Sequence, residues 1–276
     1  TEKESPPSEP PIETGKTAAV DKEFEKMTTS IPNGGEVKKY LSGDTIKKYE
    51  EGTELRNNQE IIAQELEPAL KHGVETIQKA KEIFTAIPNI AVFDTAFHQT
   101  LPNRAKYYAI DKNTAQKYNI RRYGLHGTSH KYVAEKAATF LKQDIKNMKI
   151  ISCHLGNGAS ICAVEFGRSV EVSFGMTTME GLVMGTRAGD TDPGIVTFLQ
   201  QKENWTCEQM ENFLNKKSGL AGLSGLGNDM RDILQHAENG NEDARLAIQV
   251  FTHRLTKYIG AYAAVMSGVD VLLFTA

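Results

Sequence analysis

The chain has 276 residues, 39% apolar, 24% charged and 8% aromatic, with 23 Gly and 9 Pro; this is the make-up of a globular protein of one or two domains and excludes a disulfide-stapled miniprotein, a collagen or a low-complexity chain. A net charge of -3 with no local basic patch offers no field for a phosphate backbone, so nucleic acid is not an expected partner. Cys153, Cys162 and Cys207 form no C-x-x-C pair, so neither a disulfide framework nor a thiolate metal site is expected, and a reducing cytoplasm is the expected compartment.

Residues 1–19 read as a disordered tail, because from Thr1 to Lys16 the only large apolar residue is Ile12 and such a segment cannot offset the entropy of ordering. From Val20 to Glu54 the pattern is weak, punctuated by turn signals at Pro32-Asn33-Gly34-Gly35 and Ser42-Gly43-Asp44. Apolar residues at Ile62, Leu66, Leu70, Val74, Ile77 and Ile83 or Phe84 recur at near-helical spacing, predicting a pair of helices broken at Gly73. Ile90-Ala91-Val92-Phe93 predicts a short buried strand that ends on Asp94, the place where sites form in open sheets.

Thr128 and Ser129 are expected to cap a helix whose apolar face is Tyr132, Val133, Ala137, Phe140 and Leu141. A meander follows: Lys149 to His154, a Gly156-Asn157-Gly158 turn with Gly158 at positive φ, Ala159 to Glu165, a Phe166-Gly167-Arg168 turn, and Ser169 to Ser173. Helical patterns occupy Gly194–Gln201, Thr206–Leu214, Asp229–His236 and Ala244–Val265, with Gly219–Gly227 as a glycine-rich connector. Val271 to Thr275 predicts a buried strand. The stretch from Tyr258 to Ala276 is the most apolar, but Asp270 interrupts it and no charged-apolar-small leader opens the chain, so no membrane span is expected. Strands joined by hairpins and followed by helices imply an α/β fold.

Several groups are suited to chemistry. The turn His154-Leu155-Gly156-Asn157-Gly158 exposes backbone amides without Cβ atoms, a cradle for phosphate or an ordinary glycine hairpin turn. The loop Gly185-Thr186-Arg187-Ala188-Gly189-Asp190-Thr191-Asp192 offers Arg187 as a fork for carboxylate or phosphate, or a salt-bridged surface loop. His126, between Leu125 and Gly127, can donate to a developing oxyanion, whereas His130 one turn later reads as a packing or capping residue. His98, His126, His130 and His154 lack a recognised zinc spacing, and no metal-ligating residue is assigned.

The segments Val92-Phe93-Asp94-Thr95-Ala96-Phe97-His98-Gln99-Thr100-Leu101-Pro102, Arg122-Tyr123-Gly124-Leu125-His126-Gly127-Thr128-Ser129-His130, Cys153-His154-Leu155-Gly156-Asn157-Gly158 and Gly185-Thr186-Arg187-Ala188-Gly189-Asp190 stand in the order and spacing of acetate kinases. From about Pro88 onward the chain resembles that family. The resemblance implies an actin-like (ribonuclease H-like) fold of two duplicated α/β lobes, here incomplete at both ends, with residues 20–148 as a partial N-terminal lobe and 149–276 as a second lobe. It also implies a cytoplasmic homodimer and a reversible, magnesium-dependent transfer of phosphate from ATP to acetate, giving acetyl phosphate. By position, it assigns Asp94 as the active-site carboxylate, His126 and Arg187 as transition-state stabilisers, His154, Leu155, Gly156, Asn157 and Gly158 as ATP-phosphate contacts, and Asp229, Met230 and Arg231 as part of the adenosine side. A carboxylate substrate is ionised at neutral pH, so Asp94 is expected to orient magnesium or Arg187 rather than to act as a base.

The sequence also departs from the family pattern. No phosphate hairpin is recognisable before Ile31, Ser30 stands where the family has a substrate-binding arginine, and the chain stops at Thr275-Ala276, before the family's adenosine loop and magnesium-binding glutamate. A non-catalytic nucleotide-binding or dimerising remnant is therefore an alternative reading. Leu125 and Thr178 replace the family's Phe and Pro in the pocket for the acetyl methyl, which makes propionate a competing substrate, since one methylene changes discrimination by about 1–3 kcal/mol.

Overall fold

The computed structural model describes residues 76–85, 88–90 and 92–276. The expectations for residues 1–75, including the tail, the Ser30 position and the first predicted helix, lie outside them. The chain divides into two compact units, Thr1–Val92 and Phe93–Ala276. In the first, a helix covers residues 76–83. Of the segment Ile90–Phe93, where a strand is expected, the described residues Ile90, Val92 and Phe93 are not in one: all three are exposed, and Asp94-Thr95 is a turn. An apolar run becomes a strand only where a neighbour offers a hydrogen-bonding ladder, and the sheet of the described residues does not reach this segment.

The second unit opens with a 3-10 helix, Ala96–Thr100, and two short helices, α1 (Asn103–Lys106) and α2 (Lys112–Lys117), before the longer α3 (Gly127–Leu141). Strands β1 (Lys149–Leu155), β2 (Ala159–Glu165) and β3 (Arg168–Val172) follow as the expected meander. Helices α4 (Pro193–Glu203), α5 (Cys207–Lys216), α6 (Gly219–Ser224), α7 (Met230–Glu238) and α8 (Glu242–Val265) then lead to β4 (Val271–Thr275). The sheet order is β3-β2-β1-β4. β1 and β2 pair antiparallel from Lys149↔Glu165 to Leu155↔Ala159, β3 continues antiparallel across a bulge at Ala163/Val164, and β4 lies parallel to β1.

Side chains alternate across a strand, and both faces of this sheet are covered, so β1 and β2 read as nearly continuous apolar runs. One face carries Ile151, Cys153, Ala159 and Ile161, which pack with Phe174, Leu182, Met184 and with Tyr262 and Met266 at the end of α8. The other carries Ile150, Cys162 and Val164 against Ala134 and Ala138 of α3 and Leu101. Ser152, His154 and Ser160 share this second face by register. β4 is half-buried rather than buried: Val271 and Leu273 face the α3 core while Leu272 and Phe274 are exposed.

Local signals start most of the helices. Asp192 caps α4 through Gly194 N at 2.8 Å with Pro193 at the first position, and Thr206 and Gln209 form a capping box on α5. The expected connector Gly219–Gly227 contains α6, because tertiary packing overrides weak propensity: Leu220 joins Val183, Ile233, Ala237, Ala244 and Ala247 in a third core, and a Cβ on Gly219 would stand 2.3 Å from Met184 O. Among the described residues no helix is long and apolar enough to cross a membrane.

Candidate active site

α3 starts earlier than expected. Its N-cap is His126, in the left-handed region at φ 59°, with no side-chain cap bond of its own. A non-glycine residue held there carries strain on the order of 1–3 kcal/mol, which the surroundings must overcome. Asp94 does so from outside the helix. Its Oδ2 accepts from His126 N at 2.6 Å, its Oδ1 from Thr128 N at 3.4 Å, and its carbonyl from Gly127 N at 2.8 Å. Thr128 and Ser129 are thereby freed from capping, and Ser129 Oγ bonds His154 Nδ1 at 2.9 Å. Both Asp94 carboxylate oxygens thus accept from the start of α3, and among the described residues Asp94 makes no hydrogen bond to Arg187.

Four histidines surround this turn. The His126 ring lies 4.0 Å, centroid to centroid, from His154 and 5.0 Å from the buried Phe174, and its Nδ1 is 2.8 Å from Ser160 Oγ. Burial first, then the neighbouring His154, pulls its pKa down to about 4, and burial lowers His154 as well. Both rings are neutral at pH 7. His130 is fully buried between Ser152 Oγ and Ser160 Oγ, each at 2.9 Å, and burial holds it well below its ordinary value. His98, also buried, contacts Leu125 O through Nε2 and Ser169 Oγ through Nδ1, both at 2.9 Å. A carbonyl only accepts, so Nε2 carries the proton and Ser169 donates to Nδ1. His98 therefore braces the residue before His126, and Gly124 leaves it room, since a Cβ there would stand 2.8 Å from the His98 ring.

The β1–β2 turn closes the site from the other side. Gly158 does not adopt the positive φ expected for it. A Cβ at Gly158 would make ordinary contacts, 3.4 Å from Arg187 Nη1 and 3.8 Å from His126 Nε2, so what the glycine leaves open is the space in front of those two groups. The guanidinium and the imidazole thus converge on one bare α-carbon. Asn157 anchors the turn, its carbonyl accepting from Gly185 N at 3.0 Å and its Oδ1 from Asn228 Nδ2 at 2.6 Å. His154 and Leu155 end β1, Leu155 packing on the α8 core, and Gly156 and Asn157 are exposed.

Arg187 donates from Nη1 to Thr178 O at 3.3 Å and touches Met184 Sδ at 3.5 Å, and has no carboxylate partner among the described residues. The nearby acids are engaged elsewhere. Asp192 caps α4, and Asp190 accepts from Gly181 N at 2.9 Å and Tyr258 OH at 2.8 Å with Arg254 at 3.5 Å. Asp229 caps α7 and pairs with Arg231 at 2.6 Å on the surface, while Met230 packs into the third core. They follow directly on Asn228, which ties them to the Asn157 turn.

The structure therefore gathers Asp94, His126, His154, Gly158 and Arg187, and of the segment 228–231 it is Asn228 that touches the same turn. The sequence reading assigns no role at the site to Ser152, Ser160 or Asn228, takes Ser129 for a helix cap and weighs His98 only as a metal ligand. The available signal was the polar trio Ser152, His154 and Ser160 on one face of strands otherwise built to be buried. Among the described residues no group of three or more His, Cys, Asp or Glu is arranged to hold a metal ion.

A meander of three antiparallel strands with a fourth parallel to the first and helices on both faces, carrying a glycine turn between its first two strands, is a lobe of the actin-like, ribonuclease H-like fold. Residues 57–276 match the model of the acetokinase family, and the chain belongs to that family. It is 47% identical over 257 residues to the acetate kinase of Halothermothrix orenii, covering 92% of this chain and 62% of that one. Its structure is similar to that of Porphyromonas gingivalis acetate kinase (TM-score 0.68, 47% identity, 70% of this chain and 49% of that one). It is similar also to a propionate kinase from Francisella tularensis subsp. tularensis (TM-score 0.71, 42% identity, 84% and 57%). The chain thus spans about 62% of the length of the curated relative.

Proposed function

We propose that this chain transfers the γ-phosphoryl group of ATP to the carboxylate of acetate, reversibly, giving acetyl phosphate and ADP. The observation that carries this reading is the convergence of Arg187 and His126 on the α-carbon of Gly158. A cation with no carboxylate partner among the described residues and a neutral donor at a turn open to ligand suit a phosphoryl group whose charge spreads over its equatorial oxygens, where catalysis is positioning and electrostatics rather than covalent chemistry. An acetate oxygen bonds to the γ-phosphorus as the bond to the β-bridging oxygen breaks. Acetate is ionised at neutral pH, so no proton need be removed.

In this reading Arg187 and the His126 ring hold the transferring phosphoryl group, and Asp94 fixes the His126 backbone. His154 to Gly158 contact the nucleotide phosphates, and Asp229-Met230-Arg231 border the adenosine. Magnesium ordinarily binds one or two carboxylates together with substrate phosphates; Asp94 is the carboxylate here that fits that mode, its oxygens retaining lone pairs beyond the backbone bonds, and the ion would neutralise phosphate charge. A cytoplasmic homodimer completes the proposal on the family resemblance. Propionate is a second acceptor to consider, favoured by Leu125, which packs beside the site in place of a bulkier phenylalanine.

The test is hydroxylamine trapping of acyl phosphate from the purified chain with magnesium-ATP and either acetate or propionate, with Arg187→Ala as the blank. Hydroxamate above the blank supports phosphoryl transfer, and the ratio between acids assigns the acceptor. None from a folded sample that still binds ATP would replace this reading with that of a nucleotide-binding remnant.

A further inference from the structure

Behind His126 runs an unbroken line of buried side chains: Ser152 Oγ to His130 Nδ1 at 2.9 Å, His130 Nε2 to Ser160 Oγ at 2.9 Å, and Ser160 Oγ to His126 Nδ1 at 2.8 Å. Ser152, His130 and Ser160 are fully buried. We propose that these three residues are a positioning relay that holds His126 as its Nε2–H tautomer, so that the ring presents a proton, rather than a lone pair, to the space between Gly158 and Arg187.

Each neutral imidazole has one N–H and one bare nitrogen, and each hydroxyl has one proton to give and two lone pairs, so the line can run in either of two directions, or both rings can donate to Ser160, which would leave the buried Ser160 proton with no acceptor among the described residues. In the first, Ser152 donates to His130 Nδ1, His130 Nε2–H donates to Ser160, Ser160 donates to His126 Nδ1, and the last proton, on His126 Nε2, faces the ligand space. Every buried donor is then satisfied. In the second, every bond reverses: His126 Nδ1–H donates to Ser160, Ser160 to His130 Nε2, and His130 Nδ1–H to Ser152. The Ser152 hydroxyl proton then needs another acceptor, and its only hydrogen bond among the described residues is the one to His130. An unsatisfied buried donor is costly, so the first direction is selected.

The direction matters for catalysis. A bare Nε2 would turn a lone pair toward phosphoryl oxygens and repel them, while Nε2–H donates to charge that grows in the transition state. Keeping both rings neutral preserves the tautomer, and burial does so at pH 7 for His126 and His130. The relay also gives a reason for serine at two inward positions of β1 and β2 where apolar residues would pack without polar cost.

The tautomer is read on the ligand-free chain labelled with 15N-histidine, by two-bond proton–nitrogen correlation at neutral pH, with His126 assigned by its loss in His126→Gln. The expected spectrum has protonated Nε2 and bare Nδ1 on His126. Ser160→Ala, which removes only a hydroxyl, is expected to shift His126 toward a mixture of tautomers and to lower kcat on the order of 10-fold at unchanged KM, short of the 10²–10³ lost with a whole oxyanion donor. His130→Gln keeps an N–H aimed at Ser160 and is expected to retain both the tautomer and kcat within about threefold of the parent. A His126 protonated on Nδ1 in the parent chain overturns the proposal, as does Ser160→Ala with the tautomer unmoved; where a variant fails to fold, the parent spectrum alone decides. The kinetic expectation rests on the phosphoryl-transfer reading above, whereas the spectrum does not. An Nε2–H spectrum in a chain that makes no acyl phosphate keeps the relay and removes the function, and an Nδ1–H spectrum in an active chain does the reverse.

Discussion

The carboxylate of Asp94 accepts a hydrogen bond at 2.6 Å from the backbone N–H of His126, 32 positions later in the chain. This contact joins the turn before the first 3-10 helix to the start of α3, and it holds a histidine in a backbone conformation that histidine seldom adopts. An acid at a helix N-terminus also meets the favourable end of the macrodipole. Through this contact Asp94 sets where His126 stands.

Asp94→Asn and Asp94→Ala separate that contribution from simple charge. Asn still offers one carbonyl oxygen to the His126 N–H, so its stability is expected to fall by less than that of Ala, for which loss of a capping acceptor costs about 0.5–2 kcal/mol. Turnover is expected to drop in both. Urea unfolding read beside acyl phosphate formation checks the pair, and full turnover in Asp94→Asn would remove Asp94's charge from the site.

Acid is expected to destabilise the fold through its buried histidines. His98 titrates at about 4 in the folded chain against an ordinary 6.5, chiefly because of burial. Between those values the unfolded chain binds more protons, so the stabilising contribution is complete above pH 6.5 and is lost as pH falls through the folded value. At 1.36 kcal/mol per unit this amounts to about 3 kcal/mol. His98→Gln keeps an N–H for Leu125 O and cannot titrate. Its urea midpoint, compared with that of the parent, is expected to gain ground as pH is lowered; parallel profiles would show that His98 is not the titrating group.

Gly158→Ala tests space rather than backbone strain. Because Gly158 has no positive φ, the added methyl is expected to change stability by no more than about 1 kcal/mol. It would sit between Arg187 Nη1 and His126 and is expected to weaken nucleotide binding at least tenfold, read by calorimetric titration with ATP. Gly185→Ala is the contrast: its methyl would stand 2.0 Å from Asn157 Oδ1, so it should lower thermal stability and displace the turn. Equal binding by Gly158→Ala and the parent would place the phosphates elsewhere.

Asp190 holds the Arg187 loop against α8. Tyr258→Phe removes one hydrogen bond to that carboxylate and is expected to cost about 1.5–3 kcal/mol, the range for bonds to charged groups. Arg254 and the Gly181 N–H remain, so activity at a temperature where the variant is folded should stay near that of the parent. Thermal unfolding and initial rates on one sample check both halves, and a large rate loss at full stability would make Tyr258 part of the site.

Local signals in the sequence are enough for the meander, whose turns and alternation are local, and for most of the later helices, whose caps at Asp192, Thr206, Asp229 and Asn241 lie beside them in the chain. The sequence also identifies the family, through four motifs that include Asp94, His126, His154 and Arg187. What those residues touch depends on how distant segments pack. Asp94 reaches His126 because two distant segments pack together, and no local pattern marks a cap supplied from outside the helix. Gly158 reads as a turn glycine until Arg187 and His126 are seen to border it. Ser152 and Ser160 look like polar interruptions in buried strands until β1, β2 and α3 bring them against His130. Hydrogen bonds between residues far apart in sequence leave no period to read; they exist only once packing has set the geometry.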